Sequence, residues 1–153
     1  MNARMGGEDV MRKVEIELNG VKVRAILYEE RAPVTVAALW SALPFEDRVT
    51  HAKWSGQMFH TNTKLPVTID TSQWGLGVEN PVGFQAPGDI VYLPSAGEIA
   101  IAYGDARFTW VIGPMYVSAL GRIDSDMTEF AQKADRLQWD GAGRFVIRRI
   151  TEG

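Results

Sequence analysis

Two histidines are the residues of this chain best suited to proton transfer near neutral pH. His51 and His60 are the only histidines, and they flank the turn-forming pair Ser55-Gly56. If two strands pair about that turn, both side chains could lie on one sheet and act as general acid or base. Alternatively, His51 is a satisfied structural residue and His60 an exposed one. Two histidines without a nearby Asp or Glu pattern do not fill a zinc shell, so we expect no metal.

A carboxylate and a guanidinium are the next candidates for chemistry. Glu79 follows a long segment rich in Thr, Gly, Pro and Asn, and could be a catalytic carboxylate lining a groove or a cap on the following turn. Arg107 opens an aromatic run and could hold a carboxylate in bidentate fashion. Its alternatives are an ion pair with Asp105 and a charge at the rim of the fold. Tyr103 could supply a hydroxyl or fill the core.

Tryptophan is frequent in this chain, with five residues. Trp54, Trp74 and Trp110 could form the walls of a ligand pocket, because such pockets are mostly apolar with few polar groups. Core packing is the alternative for each of the three. Trp40 lies on a helical stripe, and we expect it in the core.

The first predicted element is a β-hairpin. Apolar and charged residues alternate from Val14 to Leu18 and again from Val21 to Leu27, and Asn19-Gly20 separates the two runs. A type I′ turn needs positive φ at both central residues, which Asn-Gly accommodates. Alternation on both sides of such a pair therefore predicts two antiparallel strands.

Two segments have the spacing of amphipathic helices. The first begins near Pro33 and is stopped by Pro44. The second begins near Ser125-Asp126, with Asp126 and Glu129 as a capping box. Gly141 and Gly143 are expected to end it. The apolar faces are Val36, Leu39, Trp40 and Leu43 in the first helix, and Met127, Phe130, Ala131, Ala134 and Leu137 in the second.

Short strands separated by Pro or Gly account for most of the remaining chain. The predicted strand segments are His51–Trp54, Gln57–Thr61, Ile90–Leu93, Glu98–Tyr103, Phe108–Ile112, Tyr116–Ile123 and Phe145–Ile150. Residues Asn62 to Gln85 are predicted to be a long excursion with little periodicity. Because few βαβ crossovers are present, the fold class is mainly β: an antiparallel sheet or closed barrel with two helices.

Composition restricts the classes of protein to which the chain can belong. It has 153 residues, 46% of them hydrophobic, a net charge of −3 and no cysteine. We predict one globular domain over residues 12–153, preceded by a disordered or tag-like terminus over residues 1–11. The absence of cysteine excludes disulfides and thiol catalysis. We expect no nucleic-acid partner, no membrane span and a cytoplasmic location.

Several local strings, in their order along the chain, resemble the cyclophilin-like fold. They are Ala32–Thr35, His51–Gly56, Glu79–Pro81, Ala86–Ile90, Tyr103–Phe108 and Leu120–Ile123. The resemblance is closest to a bacterial cyclophilin-like family of unknown function (the domain of unknown function 3830 type). It implies a closed antiparallel eight-stranded barrel with two α-helices capping its ends. It also implies that substrates bind in a groove on the outer surface.

One position departs from the pattern of prolyl isomerases. True cyclophilins carry the string F-H-R-V-I-P-G-F-M-x-Q-G-G, which is similar to Thr50–Asn62 here. By this resemblance Ala52 replaces the catalytic arginine, His60 replaces a groove glutamine, and Met58 is retained. Prolyl isomerisation crosses a barrier of about 18–20 kcal/mol, which a positioned cation lowers. Efficient isomerase activity is therefore not expected unless Lys53, Arg107 or His60 supplies the missing donor.

These observations lead to a functional hypothesis with open alternatives. The chain is expected to bind a small anionic or amide-bearing metabolite in the outer groove. A metal-free acid–base enzyme, an isomerase or lyase without a cofactor, is one version of that hypothesis. A peptide-binding module and a residual prolyl isomerase are the alternatives, and a homo-oligomer is open. The candidate residues are His60 and Glu79 for catalysis, and Arg107, Trp54, Met58, Tyr103 and His51 for ligand binding.

Overall fold

The computed structural model describes residues 12–151 as a closed β-barrel with two helices, so the prediction for residues 1–11 lies outside the described part. The strands are β1 (Lys13–Leu18), β2 (Val21–Leu27), β3 (Phe45–His51), β4 (Gly56–Thr61), β5 (Pro81–Val82), β6 (Asp89–Leu93), β7 (Glu98–Ala106), β8 (Thr109–Trp110), β9 (Gly113–Pro114), β10 (Val117–Ile123) and β11 (Gly143–Ile150). The helices are α1 (Pro33–Ala42) and α2 (Thr128–Asp140), and a 3₁₀ turn spans Lys53–Ser55.

Eight of these strands close the barrel. Their order is β2, β1, β11, β3, β4, β7, β6 and β10, and β10 pairs back onto β2. All of these pairings are antiparallel. The short strand β5 adds to β10 beside the closure. The predicted fold class, a closed antiparallel eight-stranded barrel with two helices, is confirmed.

The predicted hairpin forms β1 and β2 in the expected register. Leu18 lies opposite Val21, and the two turn residues have positive φ, 48° at Asn19 and 88° at Gly20. The amide nitrogen of Arg144 also donates to the side-chain oxygen of Asn19 at 2.8 Å. The turn therefore fixes the hairpin and ties it to the start of β11.

Apolar side chains form two layers, one on each face of the barrel wall. Because successive residues of a strand point to opposite faces, Ile99, Ile101 and Tyr103 of β7 face the interior. Ala100 and Ala102 between them face outward. We use "outer layer" for the second set, which comprises Ala52, Met58, Val91, Leu93, Ala100, Ala102, Ala106, Phe108 and Val117, with Val82 and Met115 packed against it.

The helices cover the barrel with the predicted faces. Val36 and Leu39 of α1 are buried, as are Phe130 and Leu137 of α2. The ring of Phe130 lies 6.0 Å from that of Phe59 inside the barrel, so α2 packs directly on the interior core.

Four local predictions differ from the structure. The segment His51–Trp54 is not a strand, because β3 ends at His51 and Lys53–Ser55 forms a 3₁₀ turn. Residues Phe108–Ile112 do not add a strand to the barrel, because β8 pairs only with β9 in a small separate hairpin. The capping box is wrong: Asp126 instead accepts hydrogen bonds from the amide nitrogen and hydroxyl of Thr128, at 2.9 and 2.7 Å. Gly143 begins β11 rather than ending α2.

Candidate functional site

The two histidines lie on neighbouring strands but face opposite sides of the wall. Across β3 and β4, Thr50 lies opposite His60, while His51 lies opposite Phe59. These are adjacent register positions, so their side chains point to opposite faces. His60 therefore faces the outer surface, and His51 faces the interior side near α2.

A narrow pocket on the outer surface contains several of the predicted groove residues. We call it the groove pocket. Its floor is formed by Ala52, Met58 and Phe108 of the outer layer, and Trp54 and Trp110 form its walls. The two indole rings meet edge to face, with centroids 6.4 Å apart, and each residue is about half exposed. The enclosed volume is about 10 Å³, which is room for one water molecule.

His60 forms the charged side of this pocket together with Glu98. His60 Nδ1 lies 3.1 Å from a carboxylate oxygen of Glu98 and 2.8 Å from the carbonyl oxygen of Thr61. Both partners are acceptors, so Nδ1 carries a proton. His60 Nε2 lies 3.2 Å from the Thr50 hydroxyl. Both ring nitrogens are thus engaged, and a base role would require Nε2 to exchange Thr50 for a ligand.

The surroundings of His60 favour its charged form. Burial acts to lower the pKa of His60, but the hydrogen bonds to Glu98 and Thr61 and the charges of Glu98 and Asp47 together raise it above its usual value. The ring of Trp54 lies 5.9 Å from the imidazole. A cationic imidazole beside an indole face gains further stabilisation.

Ser55 holds the walls of the groove pocket in place. Its buried hydroxyl accepts a hydrogen bond from the amide nitrogen of Thr109 at 2.9 Å, and its carbonyl accepts one from Arg107 N at 2.7 Å. These bonds connect the 3₁₀ turn that carries Trp54 to the strand that carries Trp110. Gly56 follows with φ of 113°, and a Cβ there would lie 2.7 Å from the Asp105 carbonyl oxygen, so this close approach requires glycine.

Ala52 lies in the apolar floor of the groove pocket. Ala52 is 3% exposed and lies between Met58 and Phe108 in the pocket floor. Within residues 12–151, no arginine or lysine lines the groove pocket. Arg107 lies outside it, with its guanidinium 4.6 Å from the ring of Phe84, an arrangement typical of cation–π stacking.

Glu79 lies away from the groove pocket and caps α1. Its carboxylate accepts hydrogen bonds from Val34 N at 3.2 Å, Thr35 N at 2.8 Å and the Thr35 hydroxyl at 2.8 Å. Neither alternative from the sequence describes this role, because Glu79 does not line the groove pocket and the helix that it caps precedes it in the chain. His60 and Glu79 are not brought together.

His51 and Tyr103 belong to a separate cluster beneath α2. His51 Nε2 lies 2.6 Å from the Tyr103 hydroxyl, which donates to Asp135 at 2.9 Å. The single Tyr103 proton goes to Asp135, so His51 Nε2 is the donor in the first contact. Burial, then the Asp135 contact, raise the pKa of Tyr103, and burial lowers that of His51. Neither His51 nor Tyr103 lines the groove pocket.

A second and much larger cavity opens beside the barrel closure. We call it the closure cavity; it has a volume of about 880 Å³ and lies between the end of β2, β5 and β10. Val82 of β5 lines it and also packs on the outer layer. Arg31 and Arg122 line it as well, together with Tyr28. None of the lining residues of the closure cavity was predicted as a site residue from the sequence.

Several residues of both regions were missed from the sequence. Glu98 lies next to His60 because His60 pairs with Ala100 across β4 and β7, two residues along from Glu98. A correct register for that strand pair would have identified it. Ser55 and Phe108 carry no such signal, since their roles depend on how β8 folds back over the outer layer. Trp74 lines neither pocket.

The described residues add two further findings. No helix within residues 12–151 is long and apolar enough to cross a membrane. Over the same residues, no group of three or more His, Cys, Asp or Glu is arranged to hold a metal ion.

Comparisons with solved structures identify the fold. The hypothetical protein AF2241 from Archaeoglobus fulgidus has a TM-score of 0.63 at 22% identity, covering 95% of this chain and 100% of that one. A cyclophilin-type peptidyl-prolyl cis-trans isomerase from Cryptosporidium parvum has a TM-score of 0.60 at 10% identity, covering 94% and 99%. McbB in complex with tryptophan has a TM-score of 0.62 at 21% identity, covering 92% of this chain and 45% of McbB. At these identities, the likeness shows a cyclophilin-like fold.

Sequence comparison assigns the family. No curated protein matches the chain. The family model described as "Protein of unknown function (DUF3830)" matches residues 14–148, which span the whole barrel apart from the ends of β1 and β11. The chain therefore belongs to the DUF3830 family and has the cyclophilin-like fold.

Proposed function

We propose that this protein binds a small amide-bearing molecule in the groove pocket and does not catalyse efficient prolyl isomerisation. The observation that carries the proposal is the placement of the His60–Glu98 pair beside an apolar floor with indole walls. Small-molecule sites combine such apolar surfaces with a few convergent polar groups. An apolar or aromatic group of the ligand would lie against Met58 and between the indoles.

An amide suits the charged side of this pocket better than an anion does. An amide carries one acceptor and one donor, which complement His60 Nε2–H, once that group exchanges Thr50 for the ligand, and the Glu98 carboxylate respectively. A carboxylate ligand would instead approach Glu98, a like charge at short range. Of the two ligand classes expected from the sequence, the groove pocket therefore favours the amide.

Ligand entry requires the two indoles to separate. The enclosed volume of about 10 Å³ is too small for any organic ligand, but Trp54 and Trp110 are 52% and 53% exposed. Rotation of an exposed side chain is fast and needs no change in the barrel. McbB, which has a similar fold, binds tryptophan, and this supports small-molecule binding by proteins that contain the fold.

The loss of the guanidinium supports the second part of the proposal. Ala52 offers no donor, and the cations suggested as substitutes lie outside the pocket, with Arg107 stacked on Phe84. His60 is the remaining donor in the pocket, and the Glu98 carboxylate 3.1 Å from its Nδ1 offsets the positive charge that would polarise a prolyl amide. Acid–base chemistry by His60 together with Glu79 is not part of the proposal, because Glu79 caps α1.

A peptide-binding module is the second candidate function. The observation in its favour is the tip of the β8–β9 hairpin beside the groove, where Val111 and Ile112 are 87% and 80% exposed. Exposed apolar patches commonly mark interaction sites. An extended peptide could contact this tip as well as the pocket.

Thermal-shift titrations with 2-pyrrolidinone, N-acetylprolinamide and a proline-containing tetrapeptide test the proposal. A ligand that binds only the native state raises the melting temperature with concentration. We expect both small amides to do so, and Trp54→Ala to weaken their binding about tenfold, or about 1.4 kcal/mol. Trp139→Ala, which truncates a 69% exposed indole on α2, is the matched control and should leave binding unchanged.

Two results would contradict this assignment. A shift with the tetrapeptide but none with the small amides would replace it with the peptide module. In a protease-coupled isomerisation assay, turnover comparable to that of an ordinary cyclophilin would disprove our interpretation of Ala52.

A further inference from the structure

The closure cavity contains two arginines that form no salt bridge with any residue in the described part of the chain. Arg31 and Arg122 both line the cavity. Within residues 12–151, no ion pair or hydrogen bond involves either guanidinium. Glu29, another lining residue, is paired with Arg12 at 3.0 Å. The arginine charges are therefore available to a ligand.

The two arginines line the same cavity as the phenol of Tyr28. Burial and the Asp89 carboxylate raise the pKa of the Tyr28 phenol, whereas the charges of Arg122 and Arg31 act to lower it. All three charged groups thus lie near the Tyr28 ring. Tyr28 keeps its proton and remains a hydrogen-bond donor at neutral pH. Two guanidinium groups and a phenol are a donor set that suits a planar carboxylate.

Backbone hydrogen bonds hold in place the chain segments that carry these donors. The amide nitrogen of Ala32 donates to the Tyr28 carbonyl at 2.9 Å, and Tyr28 N donates to the Leu120 carbonyl at 2.7 Å. These bonds hold the turn that carries Tyr28 and Arg31 against β10. Arg122 lies on β10 opposite both Ile26 and Asp89, so the barrel closure fixes its backbone position.

Nearby acids limit the charge that the ligand can carry. Glu30 lines the cavity, and Asp89 lies next to Tyr28. A dianion would gain two guanidinium contacts but would also approach these carboxylates, whereas a single negative charge matches the arginines with less repulsion. The rest of the lining includes Ile26, Pro81 and Val82, which offer apolar contacts.

We infer that the closure cavity is a second ligand site, which binds a monocarboxylate with an apolar or aromatic body between Arg31, Arg122 and Tyr28. The carboxylate accepts hydrogen bonds from the two guanidinium groups, and the body lies against Pro81 and Val82. A volume of about 880 Å³ accommodates a molecule of this kind. The inference does not rest on the groove pocket, which lies across β6 and β7 from this site.

Calorimetric titration of the full chain with 3-phenylpropanoate and with its neutral amide, 3-phenylpropanamide, tests the site. In the Trp54→Ala variant, which impairs the groove pocket but leaves the closure cavity intact, we expect the carboxylate to bind at least tenfold more tightly than the amide. Arg31→Gln and Arg122→Gln should each weaken carboxylate binding about tenfold. Both arginines are exposed, so the variants should fold, and unchanged melting temperatures without ligand would verify this.

Arg107→Gln is the matched control, because it removes another exposed arginine on the groove side of the barrel. Trp54→Ala is a second control, specific to the groove pocket. Unchanged carboxylate binding in both controls supports the closure cavity, even if no amide binds the groove. Wild-type binding by Arg31→Gln and Arg122→Gln would overturn the inference, and so would a loss confined to Arg107→Gln or Trp54→Ala.

Discussion

The groove pocket and the closure cavity lie at opposite ends of one apolar layer, yet they differ in space and in charge. The groove pocket encloses about 10 Å³, and its imidazole is paired with Glu98 at 3.1 Å. The closure cavity encloses about 880 Å³, and its two arginines lack such partners among residues 12–151. A site that neutralises its own charge favours a neutral ligand, whereas one with uncompensated charge favours an ion.

The difference in space follows from how the chain covers each end of the layer. Over the groove, two buried side chains hold the segment that follows β7. The Ser55 hydroxyl accepts a hydrogen bond from Thr109 N at 2.9 Å. The side-chain oxygen of Gln85 accepts one from Phe108 N, also at 2.9 Å. At the barrel closure, the covering strand β5 has only two residues, and the first is Pro81, which has no amide proton to donate. Less backbone covers the layer there, so a cavity remains.

The largest of the expected effects is a loss of folding stability in Glu79→Ala, a substitution close to the closure cavity and distant from the groove pocket. Glu79 is 6% exposed and accepts three hydrogen bonds from Val34 and Thr35, while Asn80 next to it pairs in both directions with Ala119 at 3.0 Å. Glu79 thus joins α1 to the segment that forms one wall of the closure cavity. Its truncation leaves buried donors unpaired, and we expect a loss of about 2–4 kcal/mol in the free energy of unfolding, measured by urea denaturation.

Glu46→Ala is the control for this loss. Glu46 pairs with Arg144 at 2.9 Å on the surface, and its side chain is 58% exposed, so its removal should cost under about 1 kcal/mol. We also expect Glu79→Ala to weaken binding of 3-phenylpropanoate more than binding of N-acetylprolinamide. Equal costs for the two glutamate variants would show that the Glu79 contacts do not support the fold.

A smaller effect is expected from salt on ligand affinity, and its size should differ between the closure cavity and the groove pocket. Raising NaCl from about 0.05 to about 0.5 M shortens the screening length severalfold, which weakens attraction between exposed charges. Binding of 3-phenylpropanoate should weaken about three- to tenfold in calorimetric titrations, while binding of N-acetylprolinamide should change less than about twofold. The same salt dependence for both ligands would mean that the two sites do not differ in charge as the structure indicates.

Local patterns in the sequence predicted the barrel well because each depends on few residues. Asn19-Gly20 predicts its hairpin, since both residues adopt positive φ. The apolar spacing around Val36 and Phe130 predicts which helical faces are buried. The resemblance to cyclophilins predicted Met58 and His60 at an outer groove; both line the groove pocket, and ligand binding by them stays a prediction.

The candidate site was predicted less completely because it depends on strand register and on long-range contacts. His51 and His60 differ by an odd number of strand positions once β3 and β4 are aligned, so they lie on opposite faces, which the turn between them does not reveal. Glu79 binds a helix that precedes it by more than forty residues. Arg31 and Arg122 meet only because β10 closes the barrel onto β2.

The smallest expected effect is the pH dependence of the stability that the His60–Glu98 pair contributes. The pKa of His60 is raised in the folded state, mainly by Glu98 against the opposing effect of burial. Its contribution to stability is therefore fully present below about pH 6.5, the usual value, and is lost as the pH rises through the raised pKa. His60→Gln should cost more at pH 5.5 than at pH 9, by about 1 kcal/mol or less, measured by urea denaturation at each pH.

His51, at the adjacent register position, provides a control, because the cost of replacing it should change with pH in the opposite direction. Burial lowers the pKa of His51, and Lys53 lowers it further against the attraction of Asp135. Its neutral form is favoured in the fold, so its contribution to stability is present above pH 6.5 and falls as the unfolded chain takes up a proton below it. His51→Gln should therefore cost less at pH 5.5 than at pH 9. If His60→Gln also costs less at pH 5.5 than at pH 9, the groove pocket does not hold a charged histidine, and the argument that it favours an amide over an anion loses its basis.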